Sequence, residues 1–110
     1  MSASLDAKTA EGVAEWASLL NHPLRVRLIT ALAGGPGSAT KFAAQFGDTN
    51  VGDCHYHLKE LKAGKVIELA RSRPVRGATE RVYRLTPRSR SRWEEARRLR
   101  GLLDLLLDAD

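Results

Sequence analysis

The side chains best equipped for chemistry in this chain fall into two groups: a short run holding Gly52, His55, Tyr56 and Lys59, and a dense arginine series that begins at Arg71. Residues 71–100 carry eleven arginines, no lysine and three glutamates, a net of +8, whereas residues 1–70 balance seven basic side chains against seven acidic ones. Positive charge concentrated in one stretch attracts polyanions, which makes DNA, RNA and anionic membrane the partner classes to weigh. Membrane is the weakest of them. The N-terminal segment lacks a basic stretch followed by an apolar one, and apolar runs are only a few residues long, so the chain is expected to be cytoplasmic, with no membrane partner.

Catalysis and metal binding find no support in the residue pattern. No Ser/His/Asp or Cys/His set has a plausible group of partners. The glycine run at 34–37 lacks the Lys-Ser/Thr ending of a phosphate loop, so the chain is not read as an enzyme. His55 and His57 lie two apart on an expected helix and point roughly 160° from each other, which makes them a poor metal pair. Each has an ordinary surface role as an alternative. The lone Cys54 has no intrachain disulfide partner, which agrees with a reducing compartment. It is expected on an inward face as an inert packing group, with a redox switch as the alternative.

Positioning these groups requires a frame, and 110 residues suffice for one domain spanning 1–110. From Leu5 to Leu20, Val13, Trp16 and Leu20 recur at helical spacing, with Gly12 as a weak point. Asn21-His22-Pro23 restarts the chain into a second helix with a stripe of Leu24, Leu28 and Leu32, ended by the run Gly34-Gly35-Pro36-Gly37. Ser38 is placed to cap a short third helix that turns Phe42, Ala43 and Phe46 inward. After a turn at Gly47-Asp48-Thr49, Asn50 and Asp53 supply the caps of a fourth helix from about Val51 to Ala63, with Gly64 as its left-handed terminator. On that helix Val51, Cys54, Leu58 and Leu61 are expected to face inward, which turns Tyr56 outward, sets Gly52 and Lys59 beside it, and leaves His55 and His57 on the flanks.

Val66 to Arg73 and Thr79 to Thr86 read as two strands joined through the turn residues 74–78, with Pro87 closing the hairpin. A capping box at Ser91 and Glu94 opens a last helix along which Trp93, Ala96, Leu99, Leu103 and Leu106 share a side. The expected class is α+β, mainly α: five helices and a two-stranded hairpin. Two short helices followed by a basic hairpin can place a helix in a major groove and let the hairpin grip phosphate or minor groove. Tyr56 and Lys59, then His55, are the candidate readers. Gly52 permits close approach, and Arg71, Arg73, Arg76, Arg81 and Arg84 are the candidate grips, with Arg88, Arg90 and Arg92 as a possible extension. A solvated arginine surface that merely keeps the hairpin soluble is the alternative.

The runs Leu20-Asn21-His22-Pro23-Leu24-Arg25-Val26-Arg27-Leu28, Cys54-His55-Tyr56-His57-Leu58-Lys59-Glu60-Leu61 with Ala63-Gly64-Lys65-Val66, and Arg81-Val82-Tyr83-Arg84-Leu85 resemble the ArsR-type winged helix-turn-helix regulators. The resemblance spans roughly residues 19–86. It implies a homodimeric transcription factor, a repressor in most members, on double-stranded DNA with an inverted-repeat operator. The outer helices would then be the dimerisation elements, through Trp16, Leu20, Trp93, Leu99, Leu103 and Leu106, with the two tryptophans as packing anchors at the dimer interface or in the core. Gly52, Asp53 and His55 depart from the small hydroxyl or polar residues common near the start of that family's reading helix. The family's metal sites use Cys pairs on the first helix of the helix-turn-helix, or Asp and His on the last helix. Residues 38–46 and 92–110 contain neither Cys nor His, so no metal and no cofactor is expected, and the sequence names no effector. Two competing readings stay open: a winged-helix protein-interaction module using the leucine-rich last helix, and RNA binding through the arginine-rich hairpin.

Overall fold

The computed structural model describes residues 16–108. The expected first helix lies outside the described residues up to position 15, Val13 included. Its end, α1, is helical over residues 16–19. It is followed by α2 (Pro23–Gly34), β1 (Gly37–Ser38), α3 (Ala39–Phe46), α4 (Val51–Ala63), β2 (Ile67–Val75), β3 (Ala78–Leu85) and α5 (Pro87–Asp108). The hydrophobic core lies where α2, α3 and α4 meet the sheet. Leu28, Ile29, Leu32, Phe42, Leu58, Leu61, Ile67 and Tyr83 are almost fully buried there, with Trp16, Leu19, Leu20 and Trp93 packed against its edge. The two tryptophans therefore anchor the outer helices to the core of their own chain.

Helix α2 starts with Pro23 in its first turn, as a missing N–H is harmless there. Its buried stripe is Arg25, Leu28, Ile29 and Leu32, while Leu24 is only half-buried. The helix is thus rotated from the expected Leu24-Leu28-Leu32 face, and a charged residue stands in the stripe. In α3 the Ser38 hydroxyl accepts the Lys41 N–H at 3.2 Å, as its type and place predict. Arg27 of α2 bridges to Asp48 at 2.8 Å and covers the Phe46 ring at 4.4 Å from its centroid, fixing α2 against the turn after α3. Its guanidinium holds the Asp48 carboxyl below the usual carboxylate range.

Two backbone positions carry the rest of the local logic. Helix α4 ends in a six-to-one bond from Val66 N–H to the Leu61 carbonyl (3.0 Å) and a five-to-two bond from Lys65 N–H to Lys62 (2.9 Å). The left-handed residue is Lys65, with φ 63°, whereas Gly64 sits at φ −80°. Gly64 leaves room for the Leu19 side chain, whose terminal methyl lies where it would be 2.5 Å from a Cβ and would have to shift to admit one. Arg76 and Gly77, at φ 50° and 81°, make a two-residue turn of the mirror-image type that matches strand twist, so the strands run on through Val75 and from Ala78. Pro74, expected in the turn, lies within β2, an edge strand where its missing N–H is tolerated.

The sheet has three strands, in the order β1-β3-β2, and not the two of a simple hairpin. Gly37 and Ser38 pair with Tyr83 and Val82, because the chain leaving α2 runs straight along the open edge of β3. Gly37 packs against Phe42, and a Cβ at this position would meet the ring at 2.4 Å. Phe42 is buried at 1% exposure, so the ring can yield only by displacing core neighbours. Gly37→Ala is therefore expected to cost about 1–3 kcal/mol by overpacking, measured as a lower midpoint in urea at unchanged slope.

Helix α5 opens at Pro87, four residues before the expected Ser91 box. Thr86, just after the strand, caps the helix, its Oγ1 accepting the Ser89 N–H at 3.2 Å. Ser91 is exposed inside the helix. From Glu94 onward every described residue of α5 is exposed, Leu99, Leu103 and Leu106 included. Among the described residues no helix is long and apolar enough to cross a membrane.

Candidate nucleic-acid interface

Helix α4 is held at its start by Asn50, whose Oδ1 accepts the Asp53 N–H at 2.8 Å while its Nδ2 donates to Asp53 Oδ2 at 3.2 Å. Asp53 is thereby committed to the helix start, where its charge suits the dipole. Cys54, Leu58 and Leu61 are fully buried, and Tyr56 on the opposite side is 56% exposed. Val51, expected inward, is 46% exposed, because the first turn of α4 runs past the edge of the core toward the hairpin. Burial pushes the Cys54 thiol pKa up, which keeps it protonated.

Gly52, His55 and Lys59 are all exposed, so α4 presents Gly52, Tyr56 and Lys59 together on one face. His55 turns toward the β2–β3 hairpin, the wing. It lines a cleft of about 460 Å³ with Lys59, Lys62, Arg81 and Tyr83, and a second of about 280 Å³ that reaches Val51, Val75 and Thr79 near the wing tip. Three basic side chains thus converge between helix and hairpin. Lys62 is a member the sequence reading missed. Its signal was the three-residue spacing from Lys59, which places both on one helical face.

Strand register divides the wing arginines. Tyr83 and Leu85 pair with Leu69 and Ile67 on the core face, and Arg81, two before Tyr83, shares that face. An irregularity between Leu69 and Arg71 makes Ala70 an extra residue, so Arg71 pairs with Val82 and Arg73 with Glu80 on the other face. There Arg73 Nε binds Glu80 at 2.9 Å and Arg84 Nε binds Glu68 at 2.8 Å. Such exposed pairs contribute about 1 kcal/mol at most and open readily to a stronger anion. Arg76 stands at the turn, and among the described residues Arg71, Arg76 and Arg81 form no ion pair.

His57, on the other flank of α4, is half-buried and faces α2. Its Nδ1 accepts from Arg25 Nε at 3.0 Å, its ring lies 5.1 Å from His22, and Tyr56 contacts it edge-on at 5.0 Å. Burial first, then Arg25, then His22 hold its pKa below the ordinary histidine value. A histidine depressed in the folded state binds fewer protons than in the unfolded chain. Its contribution to stability is present above the ordinary histidine range and is lost as pH falls toward the depressed folded value. Among the described residues no group of three or more His, Cys, Asp or Glu side chains is arranged to hold a metal ion.

Residues 19–70 match a family model described as a helix-turn-helix domain. No curated protein sequence matches the chain. Solved structures with a similar fold include the homodimeric winged helix-turn-helix DNA-binding domain of Mb0332 from Mycobacterium bovis, a possible ArsR-family transcriptional regulator. It is 24% identical over 98% of this chain and 91% of that one, with a TM-score of 0.59. The reduced form of the transcriptional regulator YodB from B. subtilis is 18% identical over 97% of this chain and 100% of that one, with a TM-score of 0.67. HlyU from Vibrio cholerae N16961 is 14% identical over 86% and 97%, with a TM-score of 0.65. At these identities the likeness is one of fold.

Proposed function

The chain is a winged helix-turn-helix protein whose motifs and fold resemble those of ArsR-type regulators, and from that premise we propose that it is a sequence-specific double-stranded DNA-binding regulator, acting in the cytoplasm as a homodimeric repressor. One observation carries the reading. A doubly capped helix presents Gly52, Tyr56 and Lys59 outward beside a wing, and Lys59, Lys62 and Arg81 line the cleft between the two. That spacing suits a helix in the major groove, with one phosphate strand running between helix and hairpin. Tyr56, Lys59 and His55 are the readers in this scheme, with Gly52 giving clearance. Arg71, Arg76 and Arg81 grip phosphate, and Arg73 joins them on leaving Glu80.

The dimer is assigned to the outer helices. Trp16, Leu20 and Trp93 brace them against the core, and Leu99, Leu103 and Leu106 supply the contact with a second copy. A symmetric dimer presents two equal reading helices, so the operator is an inverted repeat with half-sites about one helical turn apart. Selection of bound duplexes from a random DNA pool, followed by footprinting and sedimentation, tests the whole reading. A dimer protecting two inverted half-sites is the expected result. A monomer on one asymmetric site contradicts the symmetric part of the scheme. Six exposed leucines between Leu99 and Leu107 also suit a heterologous protein partner, and a monomer that enriches no DNA sequence would favour that second reading.

A further inference from the structure

Among the described residues Arg25 is the one charged side chain that is buried, at 8% exposure. A buried guanidinium is costly unless its N–H groups find acceptors. Arg25 finds two, on different elements: Nε donates to His57 Nδ1 at 3.0 Å and Nη1 donates to the Leu19 carbonyl at 3.1 Å. The Leu19 carbonyl lies at the end of α1, where helix carbonyls lack intrahelical partners. One side chain of α2 therefore joins the end of an outer helix to the middle of α4. The Leu19 side chain adds a second contact to the same assembly by lying over Gly64 at the end of α4.

The chemistry of the contact gives it a condition. Arginine has no acceptor and stays charged, so Nε–H is the donor and Nδ1 must offer a lone pair. A proton on Nδ1 removes that acceptor and sets two positive charges against each other. The groups acting on His57 are known from each side. Arg25 from α2 and His22 from the preceding loop oppose its protonation, as burial does, while Asp53 and Glu60 on its own helix favour it. The end of α1 acts through the Leu19 carbonyl that Arg25 holds. Tyr56, next in sequence and in ring contact with His57, is the outermost group of the reading face.

We propose that Arg25 is a positioning residue for the reading helix: it ties the end of α1 to α4 through His57, and the tie stands only while His57 is neutral. The proposal rests on the DNA-binding reading and adds to it a coupling between the dimer element and the reader that acid releases. The direction is diagnostic. Added positive charge on a DNA-binding surface strengthens binding to phosphate, whereas protonation of His57 weakens specific binding by loosening α4.

The test uses the full chain, first without DNA. Histidine side-chain and α4 amide resonances are followed by NMR from about pH 8 to about pH 5. His57 is expected to titrate below the ordinary histidine range, with α4 amides shifting in step. Affinity for the duplex recovered by selection is then expected to fall about tenfold across that range in the wild type, as for removal of one charge-assisted hydrogen bond. His57→Asn offers Oδ1 to Arg25 without titrating and is expected to keep its affinity in acid. Arg25→Lys, which spans one acceptor and not two, is expected to show the weakened state already at neutral pH. If Arg25→Lys does not fold, His57→Asn still decides. His57 titrating within or above the ordinary range, or an equal acid loss in His57→Asn, overturns the proposal. If no duplex binds at any pH, the regulator reading fails, while the NMR titration still judges the Arg25–His57 tie.

Discussion

Changing Leu103 and Leu106 to aspartate is expected to leave the protein folded but monomeric, and to lower its affinity for an inverted-repeat duplex by about 10²–10⁴-fold. Leu103 and Leu106 are 56% and 72% exposed and touch nothing in their own chain's core, so the substitution removes no internal packing. Burying a leucine contributes roughly 1.5–3 kcal/mol, and a symmetric interface forfeits each such contribution twice and takes on two charges in its place. The large effect on DNA comes from linkage, because two half-sites held by one dimer convert the second binding step into an intramolecular event. Sedimentation gives the oligomeric state, a thermal melt the integrity of the fold, and titration of one- and two-half-site duplexes the coupling. A variant that stays dimeric would place the interface elsewhere. A monomer that binds the two-half-site duplex as tightly as the wild type would remove the dimer from the DNA-binding scheme.

How far the sequence alone reaches can be seen helix by helix. The caps at Ser38 and Asn50 were legible because a short side chain just before an apolar-periodic run has few other uses, and both hydroxyl and amide oxygens sit where expected. The outward place of Tyr56 followed from Cys54, Leu58 and Leu61, three residues deep in the core. Val51 misled, since periodicity reports a face but not how far along the helix that face stays covered. Thr86 and Pro87 misled in another way. A proline after a strand stops the strand, and the same residue is also well suited to a first helical turn. The third strand was invisible because two residues carry no periodic signal, and its existence depends on where α2 releases the chain. Arg25 is the omission that bears on function. Positions 25, 28, 29 and 32 form a helical stripe as good as 24, 28 and 32. An arginine within such a stripe signals a buried polar contact, although its partner His57, 32 residues away, is visible only in the fold.

Reading and gripping should separate by mutation, and the two classes should respond differently to salt. A base-edge contact contributes discrimination of about 1–3 kcal/mol, whereas a phosphate contact adds affinity nearly blind to sequence. Tyr56→Ala and Lys59→Ala are expected to lose more affinity for the selected duplex than for a scrambled one, narrowing the ratio between them. Arg76→Ala and Arg81→Ala are expected to weaken both duplexes by similar factors. If the dimer engages about six to ten phosphates, log K falls against log salt with a slope near −0.9 per phosphate, a drop of about 10³–10⁵ in affinity between about 50 and 200 mM salt. Each wing substitution is then expected to flatten that slope by about one unit for every phosphate it releases. Arg73→Ala provides an internal comparison. The Glu80 carboxylate already engages its guanidinium, so its release competes with phosphate binding, and the slope should change less than for Arg76. Titrations of all five variants on both duplexes at several salt concentrations decide the matter. Wing variants that alter base preference while helix variants leave it unchanged would mean that the hairpin reads the DNA and α4 only braces it. A slope near zero in the wild type would remove the arginine-rich wing as the phosphate grip altogether.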